Sequence, residues 1–427
     1  MYWREEMSQK FVFTCVDCGK KYSVNRQVMY LCPVCSSQNT GEQPPSGALK
    51  TVYDYPEIAK RSKRFKALRN NAYIDILPIS DPANLPPLRI GNTPLYRFTK
   101  IDGKRLPYVF FIKDDSQNPT FSYKDRASAL VSAYAKESGI DTIVAASTGN
   151  AGSSIAGICA SQGQHAIVLV PEKAPLAKLS QIMMYGAKIL PVKGTYDQAF
   201  DLSIALSDKH GWYNRNTGYN PFTIEGKKTA AFELYDQMQG EEIHRIFVSV
   251  GDGVIISGIY KGFEDLMELG FLEKMPVIVA VQAENSDNLV RNMETDTFAA
   301  KASHTIADSI SVDVPRNFNM ARKFLLTYGG EWISVSDDEI MEAAAVMARN
   351  TGIFAEPAAA AAYAGLLKYD KEDKLPASTN NVVMSTGSGL KDLKALRGSI
   401  EVPEAIEPIL QAVEEAVGSK KAVSSRQ

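Results

Sequence analysis

The stretch Asn118-Pro119-Thr120-Phe121-Ser122-Tyr123-Lys124-Asp125-Arg126 decides how the rest of this chain is read. A Pro-Thr turn leads into a helical run from Arg126 to Lys136, so the Lys124 amine projects from a helix N-terminus. The positive end of the helix dipole and the neighbouring Arg126 both disfavour an ammonium there. A neutral amine is the form that attacks a carbonyl to make a Schiff base. An isolated lysine at a helix start is ordinarily a solvated residue, and the stretches around this one change that reading.

From Tyr108 onward the chain alternates strand and helix. Short apolar runs at 109–112, 143–146, 166–170, 246–250, 277–281 and 382–384 read as buried strands. Helical stretches at 197–207, 229–238 and 340–350 separate several of them, and the alanine run 358–362 reads as a tightly packed helix. Such alternation predicts an α/β fold with largely parallel sheets, whose ligands bind at the carboxyl ends of the strands. Asn150 follows the strand at 143–146, Gly251 the one at 246–250 and Thr386 the one at 382–384, while Lys124 comes a turn after 109–112. The irregular stretch 82–94 ends in Gly91-Asn92-Thr93-Pro94-Leu95, a fixed turn beside the site. A basic stretch, 60–69, reads as one exposed helix, and Cys159 as a small core residue.

Asn118 to Arg126 resembles the Asn-Pro-Thr-Gly-Ser-Phe-Lys-Asp-Arg signature of threonine synthases, in the fold-type II family of pyridoxal-phosphate enzymes. Phe121 stands for the glycine and Tyr123 for the phenylalanine. Ser147-Thr148-Gly149-Asn150, Gly251-Asp252-Gly253, Glu356-Pro357 and Thr386-Gly387-Ser388-Gly389-Leu390-Lys391-Asp392 follow in the family's order. The resemblance implies a two-domain, tryptophan synthase beta-like fold: a large domain of 46–127 and 217–418, a smaller mobile domain of 128–216 that closes over substrate, and a flexible tail at 419–427. It also implies pyridoxal 5'-phosphate as cofactor, with Lys124 as Schiff-base former and acid/base. Asn150 would meet the cofactor's 3-oxygen and Thr386 its ring nitrogen. Gly251, Asp252, Gly253, Val254 and Ile255 form a turn into a helix, whose glycines and unpaired N–H groups suit a phosphate. The carboxylate of Asp252, where the family has asparagine, is expected to point away or be neutralised. Lys391-Asp392 reads as a surface pair.

The family's reaction converts O-phosphohomoserine and water to threonine and phosphate. Where such enzymes carry an arginine and a hydroxyl residue toward the substrate phosphate, this chain has Thr223 and Ala151. Arg215 or Lys227 would have to replace the arginine, or the substrate lacks the phosphate. A threonine/serine dehydratase or a β-replacing synthase therefore stays open, as does a non-catalytic zinc-ribbon binding protein.

Ahead of all this, Cys15-Val16-Asp17-Cys18 and Cys32-Pro33-Val34-Cys35 form two Cys-x-x-Cys knuckles. Four thiolates brought together in this way suit one tetrahedral, structural zinc in a ribbon spanning residues 1–45. Disulfides, a redox pair and a metal-free ribbon compete with that reading. The whole chain, 427 residues with 47 Lys and Arg against 49 Asp and Glu, has no basic footprint for nucleic acid. No apolar run approaches the roughly 20 residues of a membrane span. Met1-Tyr2-Trp3-Arg4-Glu5-Glu6 does not open a secretory signal, which points to the cytoplasm and to a small-molecule amino-acid partner. Whether the chain forms a homo-oligomer is left open.

Overall fold

A computed structural model describes residues 10–24, 28–397 and 403–423. Nearest the N-terminus, β1 (Phe11–Cys15), β2 (Lys21–Ser23) and β3 (Leu49–Tyr53) form an antiparallel sheet in the order β2-β1-β3. Burial alternates along β1 and β3, as the period of two of a one-sided sheet requires. The covered face carries Phe11 and Phe13, whose rings meet Phe222 at 5.9 and 5.7 Å and tie this sheet to the body of the protein.

The body is built on two further sheets. An antiparallel hairpin, β4 (Leu95–Ile101) and β5 (Lys104–Asp114), precedes β6 (Thr142–Ala146), β7 (His165–Pro171), β8 (Lys188–Val192) and β9 (Tyr213–Asn214). The last four form an all-parallel sheet in the order β8-β7-β6-β9. β10 (Arg245–Ser249), β11 (Val277–Ala283), β12 (Glu331–Val335) and β13 (Asn380–Ser385) join the hairpin in a six-stranded sheet, β12-β11-β10-β13-β5-β4. Only β4 runs antiparallel in it. Every apolar run singled out as a strand is one. The strands that no run announced include β8 and β12, sheet edges whose residues are mostly half-exposed.

Helices cover both parallel sheets. Ala358–Ala362 lies wholly buried in the helix Pro357–Lys371, and a Cβ at Gly365 of that helix would come within 2.5 Å of Val281 on β11. Small side chains are what let this helix sit so close to the strands. The stretch 60–69 is not one exposed helix but two short ones, Tyr55–Arg61 and Phe65–Asn70, separated at Ser62. Burial of Phe65 and Leu68 explains the break, because the second helix must turn inward to put the Phe65 ring 4.9 Å from Tyr235. Near the C-terminus the helix Leu410–Val423 runs past Gly418, where the sequence suggested a flexible tail, and 424–427 lie outside the described residues. Among the described residues no helix is long and apolar enough to cross a membrane.

Candidate active site

Lys124 is the first residue of the helix Lys124–Glu137 and lines a cavity of about 930 Å³. Other walls of the cavity are 147–151 after β6, 251–256 after β10, and the loop 308–316. The carboxyl ends of parallel strands from both sheets thus converge on one lysine, as the alternation rule requires. Burial holds the Lys124 amine below its usual pKa, and the Arg215 guanidinium adds to this, against a smaller opposing pull from Glu356 and Asp252.

Arg126 does not supply that effect, contrary to the sequence reading. Its guanidinium turns to the other side of the helix start and is neutralised there. Nε lies 2.6 Å from Asp115 Oδ2, and Nη1 and Nη2 lie 2.6 and 2.8 Å from the two Glu233 oxygens. Lys113 adds a further cation-to-carboxylate contact, 2.6 Å from Glu233. Glu233 also accepts the backbone N–H groups of Asn92 (2.7 Å) and Thr93 (3.3 Å). A Cβ at Gly91, with φ +73°, would fall 2.4 Å from Glu233 Oε1, so this turn tolerates only glycine there. The turn before Lys124 is held from inside, by Thr120 N–H donating to Asp125 at 2.7 Å. Phe121, where the resembling family has glycine, keeps the glycine-like φ of +70°.

Opposite Lys124, Gly253 ends a turn at φ +84° and caps the helix Val254–Glu268. The first N–H groups of that helix, at 254 to 256, have no intrahelical acceptor and border the cavity. A Cβ at Gly251 would come 3.0 Å from Ile310 Cα, and one at Gly253 would come 2.9 Å from Ala321 Cβ, so neither glycine can be enlarged without moving the cradle. The Asp252 carboxylate accepts the Arg316 N–H at 3.1 Å and its carbonyl accepts the Asn317 N–H at 2.9 Å. The side chain is therefore occupied in bracing the loop. A bare helix N-terminus with small residues before it is the chemistry a phosphate monoester needs.

Asn150 opens the helix Asn150–Gln162 and borders the cavity, with its side chain free of any capping role. Its amide donates to Glu356 Oε1 at 2.8 Å and, at the longer distance of 3.5 Å, to Ser309 Oγ. Glu356 is buried, and burial raises its carboxyl pKa against the pull of that amide, Lys391 and Lys124. A Cβ on Gly387 would fall 2.5 Å from Glu356 Oε1, which accounts for the glycine after Thr386. Thr386 itself does not line the cavity. It is buried, and its carbonyl accepts the Tyr123 N–H at 2.9 Å, one residue before Lys124. Lys391 is not part of a surface pair. Its ammonium donates to Ser153 Oγ (2.8 Å), Thr120 O (3.3 Å) and Gln181, bridging the Lys124 turn to two helices of the four-stranded sheet.

Several residues at the site carried weak or no sequence signal. Arg215 and Lys227 are buried beside Lys124, although only the loss of an arginine at 223 hinted at either. The loop 308–316 has no motif. Two ion pairs cross the mouth, Lys178 with Asp308 at 2.6 Å and Asp197 with Arg316, joining helices of the small sheet to that loop. Leu31, Ser36, Asn39, Thr40, Gly41, Gln43 and Pro45 of the N-terminal segment also line the cavity, which the separate ribbon read from the sequence did not suggest.

The four cysteines of that segment meet. The sulfurs of Cys15, Cys18, Cys32 and Cys35 all lie within 4.8 Å of one another, with Cys15 to Cys35 at 3.8 Å and Cys18 to Cys32 at 3.9 Å. Tetrahedral zinc with Zn–S bonds near 2.3 Å sets its sulfurs about 3.8 Å apart, so the donor set fits that ion. Cys159 is buried far from any of this in chemistry, its thiol pushed up to about 12 by burial alone.

A lysine at a helix start, facing a glycine-bounded helix N-terminus across a cleft between parallel sheets, defines an enzyme that uses pyridoxal phosphate. Residues 87–387 match the family of pyridoxal-phosphate dependent enzymes, and the chain belongs to it. It is 35% identical over 401 residues to the threonine synthase of Methanocaldococcus jannaschii, covering 92% of this chain and 96% of that one. With the threonine synthase of Methanosarcina acetivorans the identity is 32% over 413 residues, 95% and 98% of the two chains. Among solved structures, the processed threonine deaminase isoform 2 of Solanum lycopersicum superposes with a TM-score of 0.61 at 20% identity, over 79% of this chain and 92% of that one. The fold is therefore that of the fold-type II pyridoxal-phosphate enzymes, and the protein is a lyase of that kind.

Proposed function

We propose that this protein is a threonine synthase, converting O-phosphohomoserine and water to L-threonine and phosphate. The near full-length relation to two threonine synthases carries this reading. When bound, pyridoxal phosphate supplies an electron sink conjugated to the substrate's amino group. The chain's residues do the rest. Lys124, its amine held below its usual pKa by burial and Arg215, anchors the cofactor and, once released, moves protons between substrate carbons. Asn150 would give the N–H now held by the long contact with Ser309 Oγ to the cofactor's 3-oxygen, and the 254–256 amides with Gly251, Asp252 and Gly253 would hold the phosphate through their backbone. On the family's pattern Thr386, buried behind the cavity lining, would face the ring nitrogen, and a hydroxyl there would not hold that nitrogen protonated. The 147–150 turn, at another helix start, takes the substrate carboxylate.

Two structural assignments belong to this reading. Residues 128–216, which carry the four-stranded sheet, act as the mobile domain against 46–127 and 217–418. The ion pairs at the mouth are its latch, each exposed pair being worth about 1 kcal/mol or less, weak enough to open in every turnover. Zinc fills the four-cysteine centre as a structural ion, since four thiolates leave no open coordination position.

A dehydratase is the second reading, favoured by Thr223 and Ala151 where phosphate contacts are expected. Assay of the purified enzyme with O-phosphohomoserine, threonine and serine, following phosphate and oxoacid together, separates the two. Phosphate release with threonine formation is the expected result. Oxoacid release from threonine or serine, with O-phosphohomoserine untouched, assigns the dehydratase.

A further inference from the structure

Burying a charge without a counter-charge is costly, and proteins seldom do it without a use. Beneath the wall of the cavity this protein does it twice. Arg215, just after β9, and Lys227, at the end of the helix Phe222–Lys227, are fully buried, and Lys227 Nζ and Arg215 Nη2 have no hydrogen-bond partner among the described residues. Lys124 makes a third cation in the same neighbourhood. Burial pushes the Lys227 amine well below its usual pKa, and Lys124 and Arg215 push the same way, with Asp252 alone opposing. The contrast with Lys228, one residue on, is sharp: that amine sits 2.5 Å from Glu225 and 2.7 Å from Asp265.

The neighbours of Arg215 and Lys227 place both groups close behind the cavity wall. Arg215 Nε donates to Ser128 Oγ at 3.2 Å, one turn along the helix from Lys124, and its Nη1 donates to Thr217 Oγ1 at 2.6 Å. Thr217 lines the cavity, so the guanidinium stands one hydroxyl behind the wall. Lys227 lies four residues after Thr223, on the same face of their helix. It occupies the next turn from the place where an arginine is missing. Thr223 spends its own hydroxyl on Asn220 O, at 2.7 Å.

We propose that Arg215 and Lys227 form a buried subsite for a tetrahedral dianion, the phosphoryl group of an amino-acid phosphate ester, behind the wall that carries Lys124 and Thr217. This rests on the threonine synthase reading for the identity of the ester, but the subsite is tested without it. The cofactor's own phosphate is the other dianion in reach. It has a separate cradle at 251–256, and Arg215 is hydrogen-bonded to the opposite side of the cleft.

The experiment uses full-length, cofactor-loaded enzyme in phosphate-free buffer, titrated with inorganic phosphate by calorimetry and by thermal denaturation. Arg215→Gln and Lys227→Met each weaken phosphate binding about 10- to 100-fold, the loss of one charge-assisted hydrogen bond. Lys227→Met melts at or above the wild-type temperature without phosphate, since it removes a buried amine that has no hydrogen-bond partner among the described residues, and it loses most of the upward shift that phosphate gives the wild type. Cofactor occupancy and the ³¹P resonance of the bound cofactor stay as in the wild type. Should Arg215→Gln fail to fold, Lys227→Met and the charge-keeping Arg215→Lys decide the matter. Unchanged phosphate affinity in the variants overturns the proposal, and so does a loss of cofactor with a shifted ³¹P signal, which assigns the pair to the cofactor's phosphate. If phosphate binding behaves as expected and the wild type leaves O-phosphohomoserine untouched, the subsite stands and the threonine synthase reading falls.

Discussion

Two residues apart at one helix start, Lys124 and Arg126 are both buried cations, and the protein treats them in opposite ways. Arg126 faces back into the six-stranded sheet, where Asp115, Glu233 and Thr93 use up its guanidinium and Lys113 shares Glu233. Lys124 faces the cavity beside Arg215 and Lys227, and no carboxylate among the described residues lies within ion-pair distance of these three. The paired cluster fixes the turn that places Lys124. The unpaired cluster holds the Lys124 amine below its usual pKa and leaves Arg215 and Lys227 without an acidic partner among the described residues behind the wall. Structural charge is cancelled within the fold, whereas functional charge waits for a ligand to cancel it.

The hardest blow to that contrast comes from Lys124 itself. Lys124→Ala is expected to lower turnover at least about a thousandfold, and borohydride reduction then no longer fixes the cofactor on the peptide around residue 124. Fixation on another lysine of the wild type would remove Lys124 from the centre of the account. Folding stability without cofactor should be unharmed. On the other face the outcome reverses. Arg126→Met leaves Asp115 and Glu233 buried and short of a counter-charge, and should cost about 3 to 5 kcal/mol in denaturant unfolding.

Acid sharpens the same contrast. Arg126 and Lys113 outweigh the burial penalty and hold the Glu233 carboxyl at about 2, below its ordinary 4.5. A depressed carboxyl contributes stability that is complete above about pH 4.5 and drains away as the pH falls toward 2. Stability against pH should therefore fall more steeply in the wild type than in Glu233→Gln across that window. Parallel curves would mean that the pair network does not carry the acid sensitivity.

Chelation of the four-cysteine centre tests a third region. If zinc fills the centre as proposed, its removal should raise the Michaelis constant for amino-acid substrates while the cofactor's visible absorbance persists, because 31–45 forms part of the cavity wall but not of the cradle at 251–256. Smallest of all is Phe121→Gly. Relief of the left-handed backbone, opposed by the entropy of a new glycine, leaves a change within about 1 kcal/mol and turnover near wild type.

Much of this was readable before any coordinates. Buried parallel strands advertise themselves as apolar runs, and the residues just after them, Asn150 and Gly251, are where ligands gather. Edge strands such as β8 and β12 were silent because half-exposed residues break the run. Arg126 was misjudged because charge near a lysine in sequence says nothing of its partners, and Asp115 and Glu233 lie 11 and 107 residues away. Arg215 and Lys227 could not be ranked for a related reason: what marks them is the absence of a partner, which only the packed structure displays. Thr386 sat at the right motif and still lies off the cavity lining, since a strand end fixes its backbone without fixing where the side chain opens.

The segment from Leu31 to Pro45 has one more implication. The stretch that marks the family, 87–387, carries Lys124, Asn150 and the phosphate cradle, so it looks chemically self-sufficient. Its cavity is not, because one side of the wall comes from residues that precede it. Tyr30, stacked 4.6 Å from Tyr219 and accepting the Asn214 N–H through its hydroxyl at 2.8 Å, pins that side beside Arg215. A shortened chain starting at residue 87 would keep the reacting groups and lose a boundary. Its reactive carbon would then stand open to bulk water, a nucleophile present at far higher concentration than any metabolite. The N-terminal segment thus shares in enclosing the cavity that holds Lys124.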